Sequence, residues 1–171
     1  MIPKIIKIIT SVIVFFLGVY QISENYIGNG IFCFFISLFF ILIYFKNELI
    51  FLAFLRLRKQ DFDGTKKWLN RITNPELQLV KKQQGYFHYL HGIILSQSNL
   101  NQAEKHFKLA IKFGLSMSAD LAMTKMSLAG ILMQKRRKRE AIDLLAQAKK
   151  LDRHGMLTEQ IRILQSQLKR I

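Results

Sequence analysis

One cysteine, Cys33, stands among the 171 residues, so no disulfide can close within the chain and no cysteine-based metal site can form. Proline is confined to Pro3 and Pro75. Short alternating apolar runs bounded by glycine or proline, the signature of strands, are missing. So are a glycine-rich phosphate loop, Gly-x-Ser-x-Gly and His-Glu-x-x-His. Paired carboxylates are scarce: Asp61 and Asp63 belong to a turn, and turn chemistry explains them. Acids number 11 against 26 Lys and Arg, a formal net charge of +15. These absences exclude the common catalytic constellations, so the chain reads as non-enzymatic, with no cofactor implied.

Charge is also missing from one long stretch. Between Ile5 and Phe45 only Lys7 and Glu24 are charged, and the rest is dominated by Ile, Val, Leu and Phe. The interval from Gln21 to Gly30 is polar and turn-forming, which divides the stretch into two apolar runs. A membrane span needs about 20 mostly apolar residues, so residues 1–46 are expected to form a two-helix transmembrane hairpin. The second run, Ile31 to Phe45, reaches that length only by recruiting Tyr26 and Ile27. A signal peptide is the rival for the first run, but no small-x-small cleavage site follows it. Lys4 and Lys7 precede the first run, Lys46, Arg56, Arg58 and Lys59 follow the second, and the loop holds neither Lys nor Arg. The positive-inside rule then puts both termini in the cytoplasm, with Tyr20, Tyr26, Tyr44 and Phe45 at the interfaces. Cys33 reads as a small residue facing lipid or a helix.

From Lys46 onwards the pattern is polar, basic and helical. Two segments superimpose. Phe87, Leu90, His91 and Ile94 are followed by Ala103, Phe107 and Ala110; Lys125, Leu128, Ala129 and Leu132 are followed by Ala141, Leu145 and Ala148. Leu90 to Ala103 and Leu128 to Ala141 both span 13 positions, and the two alanines lie 38 apart. This resembles the tetratricopeptide repeat, a helix-turn-helix of about 34 residues with small residues where its helices touch. Residues 83–154 are assigned to two such repeats. A poorer unit over 47–82 uses Leu52, Ala53, Thr65, Leu69 and Ile72, with a turn at Asp61–Gly64 and a stop at Asn74-Pro75. Residues 155–171 are expected to hold an amphipathic capping helix, with Ile161, Leu164 and Leu168 on one face. Asn99 and Asp120 are candidate helix N-caps, and Gly114 and Gly155 suit helix ends. The expected architecture is all-α: a transmembrane helical hairpin, a short tetratricopeptide-like solenoid and a cap.

The resemblance implies a partner-binding groove lined by the first helix of each repeat. His88, Gly92, Leu95 and Ser96 would come from one, and Met123, Met126, Gly130, Met133 and Gln134 from the next. Methionine suits adaptable apolar recognition, although each Met also fits a core reading. The Lys and Asn set of the family's carboxylate clamp is missing from these positions. Lys135, Arg136, Arg137, Lys138 and Arg139 form a basic patch at the start of a helix, where the helix dipole disfavours cations. Anionic lipid, RNA or an acidic protein could meet it, though no interleaved aromatics support nucleic acid. His88 and His91, with His106 on the paired helix, fall short of a clear metal site, which needs three well-placed ligands. The sequence therefore points to a non-catalytic adaptor, anchored in the membrane, that recruits a protein partner at the cytoplasmic face. The alternative is a charge-driven binder of anionic lipid or RNA.

Overall fold

The computed structural model describes residues 4–45 and 48–170. The side chains of residues 4, 5, 7 and 42–45 lie outside what is described. Ten helices and no strand occur among the described residues, so the fold is all-α. They divide into two compact units, Met1–Glu48 and Leu49–Ile171.

The first unit pairs α1 (Lys4–Ser23) with α2 (Ile27–Phe45) through a tight turn in which Asn25 takes a left-handed φ of 64°. Small residues let the two backbones approach. A Cβ on Gly30 would meet Ile22 and the Gly18 carbonyl, and one on Gly18 would lie 3.1 Å from Cys33. Ser11 and Ser37 are buried together. Each hydroxyl can donate to the other residue's carbonyl, at 3.2 and 3.0 Å. Two polar groups in an apolar contact thus satisfy each other and set the register of the pair. The outer faces expose large side chains, among them Phe16, Phe32, Phe35 and Phe39.

The expected transmembrane hairpin is corrected by these helices. Among the described residues no helix is long and apolar enough to cross a membrane. α1 has 20 residues, but it begins on Lys4 and Lys7 and ends on Gln21 and Ser23. α2 has 19, and its first turn carries Gly28-Asn29-Gly30. The polar ends shorten the apolar part of each helix below the required run of about 20 residues. The transmembrane anchor, the description as an integral membrane protein and the cytoplasmic placement of both termini built on it are withdrawn. The interface roles expected of Tyr44 and Phe45 fall outside the described side chains, and Lys46, expected to help set the orientation, lies outside the described residues.

The second unit takes in α3 (Glu48–Arg58) from its second residue onwards, followed by α4 (Phe62–Leu69). Asp61 caps α4 by accepting the Gly64 N–H at 2.7 Å. Asn74-Pro75 does not merely stop a helix: Pro75 opens the four-residue α5 (Pro75–Gln78) at a position where its missing N–H costs nothing. α6 (Lys81–Leu95) packs on α7 (Leu100–Phe113), and α8 (Ser118–Gln134) packs on α9 (Lys138–Leu151). α7 also packs on α8, α4 on α6, and α10 (Thr158–Leu168) on α9. Asn99 caps α7 by accepting the Gln102 N–H at 3.1 Å. Gly114 ends α7 with a φ of 79°, a conformation that strains any residue with a Cβ. The core contains Leu69, Leu90, Phe107, Leu132, Leu145 and Ile161, each nearly inaccessible. Ala53, Ala103, Ala110, Ala129, Ala141 and Ala148 are fully buried at helix contacts.

Full burial of these alanines generates a packing prediction. Ala103→Leu and Ala141→Leu should each cost about 1–3 kcal/mol in chemical denaturation, because a well-filled contact cannot take the added volume. Ala146, five positions beyond Ala141 and so on a different face of α9, is exposed. Ala146→Leu should therefore change stability by less than about 0.5 kcal/mol.

Candidate binding surface

Residues expected to share one groove receive different positions. On α6, Gly92 is buried: a Cβ there would lie 2.7 Å from the Phe107 ring, so this glycine serves the α6–α7 contact. His88, Leu95 and Ser96 are half-buried, and the Ser96 hydroxyl donates to the Ile93 carbonyl at 2.7 Å. On α8, Met133 is buried, with 6% of its surface accessible, and belongs to the core. Met123 and Gln134 are exposed, and Met126 and Gly130 are partly so. A Cβ on Gly130 would meet nothing within 4 Å. The open part of the surface is therefore one side of α8.

Two contacts between α6 and α8 hold that side in place. Tyr86 donates its hydroxyl to Asp120 at 2.5 Å, and Tyr89 donates to the Met123 sulfur at 3.1 Å. Asp120 therefore serves as an acceptor for Tyr86, whereas the N-cap of α8 is Met117. Burial, together with the hydrogen bond to Asp120 and its charge, raises the Tyr86 hydroxyl to about 12. Burial likewise raises that of Tyr89. Both stay protonated, and so remain donors, at neutral pH.

The five-residue basic run does not form one free patch. Lys135 donates to Asn101 and to Glu104, both at 2.6 Å. Arg137 donates to Glu104 at 2.6 Å and makes a two-pronged pair with Glu140 at 2.8 and 2.6 Å. Lys108 completes the cluster at 2.6 Å from Glu104. Burial by itself would raise the Glu104 carboxyl, but hydrogen bonds from Lys108, Lys135 and Arg137 outweigh it and hold the group at about 2. The run thus acts as a clasp, tying the α8–α9 turn to α7. Arg136 occupies the turn in a left-handed conformation, φ 59°. Arg136, Lys138 and Arg139 are left facing solvent. Glu104 is the residue that sequence reasoning missed; its one local signal was Lys108 four positions on, the spacing of a helical ion pair.

Histidines form the other cluster. His91 of α6 stacks on His106 of α7 and meets the Phe87 ring edge-on, while His88 of α6 lies tilted against His106 and stacks on Phe113. The Nδ1 atoms of His88 and His106 are 3.1 Å apart, a hydrogen bond in which one nitrogen carries the proton. Burial, then His106, pushes His88 down to about 4. Burial, then His106, His88 and Lys66, does the same to His91, and burial lowers His106. At neutral pH the three rings are therefore uncharged packing elements. No group of three or more His, Cys, Asp or Glu is placed to hold a metal ion among the described residues.

Two acid transitions should follow, because both sets of groups bind fewer protons folded than unfolded. The histidines stabilise the fold above about 6.5, and that contribution falls away as pH drops towards about 4. Glu104 contributes above 4.5 and loses its contribution as pH falls towards about 2. Thermal melts from pH 7.5 to 2.5 should show both limbs. His88→Gln combined with His91→Gln should flatten only the upper limb. Glu104→Gln should flatten only the lower one and cost about 1–3 kcal/mol at pH 7.

Compared with protein-family models, with curated proteins and with solved structures, the chain matches none.

Proposed function

We propose that the chain is a non-catalytic, tetratricopeptide-like scaffold that binds a protein partner across the open side of α8. Gly130 carries this reading. A glycine inside a helix costs about 0.5–1 kcal/mol relative to alanine, so its presence calls for a reason. Gly85 and Gly92 have internal ones: a Cβ would run into the Gly114 carbonyl or the Phe107 ring. At Gly130 no neighbour among the described residues requires a missing side chain. A bare stretch of backbone flanked by Met126 and near Met123 and Gln134 suits close approach by another polypeptide, with methionine adapting to its shape. The rival reading, a basic turn that binds anionic lipid or RNA, is less well supported. Lys135 and Arg137 already satisfy Glu104 and Glu140, which leaves three exposed cations.

Substitutions on that side separate the two readings. Gly130→Ala should raise stability by about 0.5–1 kcal/mol, since the methyl points into open space. Gly130→Phe should keep the helical content and melting temperature close to the parent chain but sharply reduce the proteins that co-purify with it, read by quantitative mass spectrometry; Met126→Glu should reduce capture likewise but also lower the melting temperature, because Met126 packs against the core. Arg136→Gln, Lys138→Gln and Arg139→Gln together should mainly alter the salt dependence of capture. Unchanged capture by Gly130→Phe and Met126→Glu, with loss in the triple variant, would overturn the proposal in favour of the basic turn.

A further inference from the structure

Three cations of the α8–α9 turn have no use within the fold. Lys135 and Arg137 are taken up by Glu104 and Glu140, whereas Arg136, Lys138 and Arg139 are exposed and have no ion-pair partner among the described residues. Each also stands where local physics is against it. Arg136 holds a left-handed φ of 59°, a conformation in which helices normally end on Gly or Asn. Lys138 and Arg139 open α9, at the positive end of its dipole. Such placements at neighbouring positions call for a role outside the chain.

The same turn closes the open face of α8. On a helix of 3.6 residues per turn, Ala119, Met123, Met126, Ser127, Gly130 and Gln134 share an arc of about 100°. None of the six is charged and none is fully buried. Asp120 edges the arc, but Tyr86 donates to it and the N-terminus of α8 offsets its charge. Nearby helices add no unpaired acid: α6 has none, Glu104 of α7 is paired, and Glu159 of α10 lies 3.9 Å from Arg162. Asp143 of α9 lines a cleft with Leu128 and Leu132, on the far side of α8 from Met123. From Met123 to Gln134 the face runs about 17 Å, uncharged and methionine-bearing, and it ends at three free cations. Within the chain, Gly30 and Gly92 each serve a contact with a neighbouring helix, so an outward Gly130 suits a helical partner.

We infer that the partner docked on α8 presents a short amphipathic helix with an acidic end. Its apolar side chains meet Met123 and Met126, its backbone approaches Gly130, and its Asp or Glu residues face Arg136, Lys138 and Arg139. This inference rests on the α8 reading above and adds the partner's chemistry to it. The apolar contacts supply affinity, while the acids steer encounter and select the partner. A phosphate polyanion fits less well, because it would leave the methionines uncovered.

The test uses the full chain with ¹³C-labelled methionine methyl groups and three capped synthetic helices of about 15 residues. The peptides share leucines spaced three and four apart on an Ala-Gln background and differ only in the first turn, which carries Glu, Gln or Lys. The Glu peptide should shift the Met123 and Met126 methyls, leave that of buried Met133 in place, and bind about threefold to tenfold more tightly than the Gln peptide. The Lys peptide should bind most weakly. Arg136→Glu, Lys138→Glu and Arg139→Glu together should reverse that ranking without lowering the melting temperature, since all three side chains are exposed. Equal methyl shifts and affinities with all three peptides would overturn the acidic end and leave the α8 reading standing. Binding of the Glu peptide without methionine shifts, or equally tight binding of a short oligothymidylate at near-physiological salt, would overturn the inference in favour of a charge-only site. Absence of binding by every peptide would overturn it as well, and co-purification alone would then judge the α8 reading.

Discussion

Close helix approach at alanine is the constraint on which the larger unit depends. Ala103 and Ala110 on α7, and Ala141 and Ala148 on α9, retain no accessible surface. With a methyl group at each contact, the paired backbones come near enough for Phe107 and Leu145 to fill the space between them. Dispersion falls off steeply with separation, so a gap of even half an ångström would forfeit much of that packing. The consequences reach the candidate surface. Only when α6 and α8 are held at this spacing do Tyr86 and Tyr89 meet Asp120 and Met123.

Electrostatics refines what packing sets. Glu104 is nearly buried beside Ala103, an unfavourable place for a lone carboxylate, and three cations, Lys108 of α7 with Lys135 and Arg137 of the α8–α9 turn, compensate it. A buried charge with fully paired oxygens is worth more as a specifier of arrangement than as a source of net stability. It ties the α8–α9 turn to α7, whereas a hydrophobic residue at position 104 would tolerate sliding. The histidine stack works in the opposite sense. His88, His91 and His106 contribute as neutral rings, and their packing weakens when protons compete for them. The same unit thus holds one group kept charged and three kept neutral.

The smaller unit shows how far a composition signal reaches. Its apolar runs and the turn between them were legible as a helical hairpin from residue types alone. The inference to a membrane span depended on continuous apolar length, and Lys4, Lys7 and Gly28-Asn29-Gly30 fall within the helices. What holds the pair together, the reciprocal Ser11–Ser37 bonds and the contact at Gly18 and Gly30, had no linear signature. Each partner is unremarkable until the turn brings residues 26 positions apart face to face.

For the larger unit, periodicity by itself determined a good deal. Helical type, the buried set Leu90, Ala103, Phe107, Ala141 and Leu145, and the Asn99 cap all follow from local spacing and side-chain chemistry, which act within a turn or two of helix. Residue roles at the surface were decided only by tertiary structure. Gly92 and Met133 turned inwards and Gly130 stayed open. Lys135 and Arg137 were drawn to a carboxylate more than 30 positions away. The physical reason is range: helix propensity and amphipathic period are properties of neighbours in the chain. Whether a glycine, a methionine or a cation is spent internally or left for a partner depends on which distant residue the packed helices bring beside it.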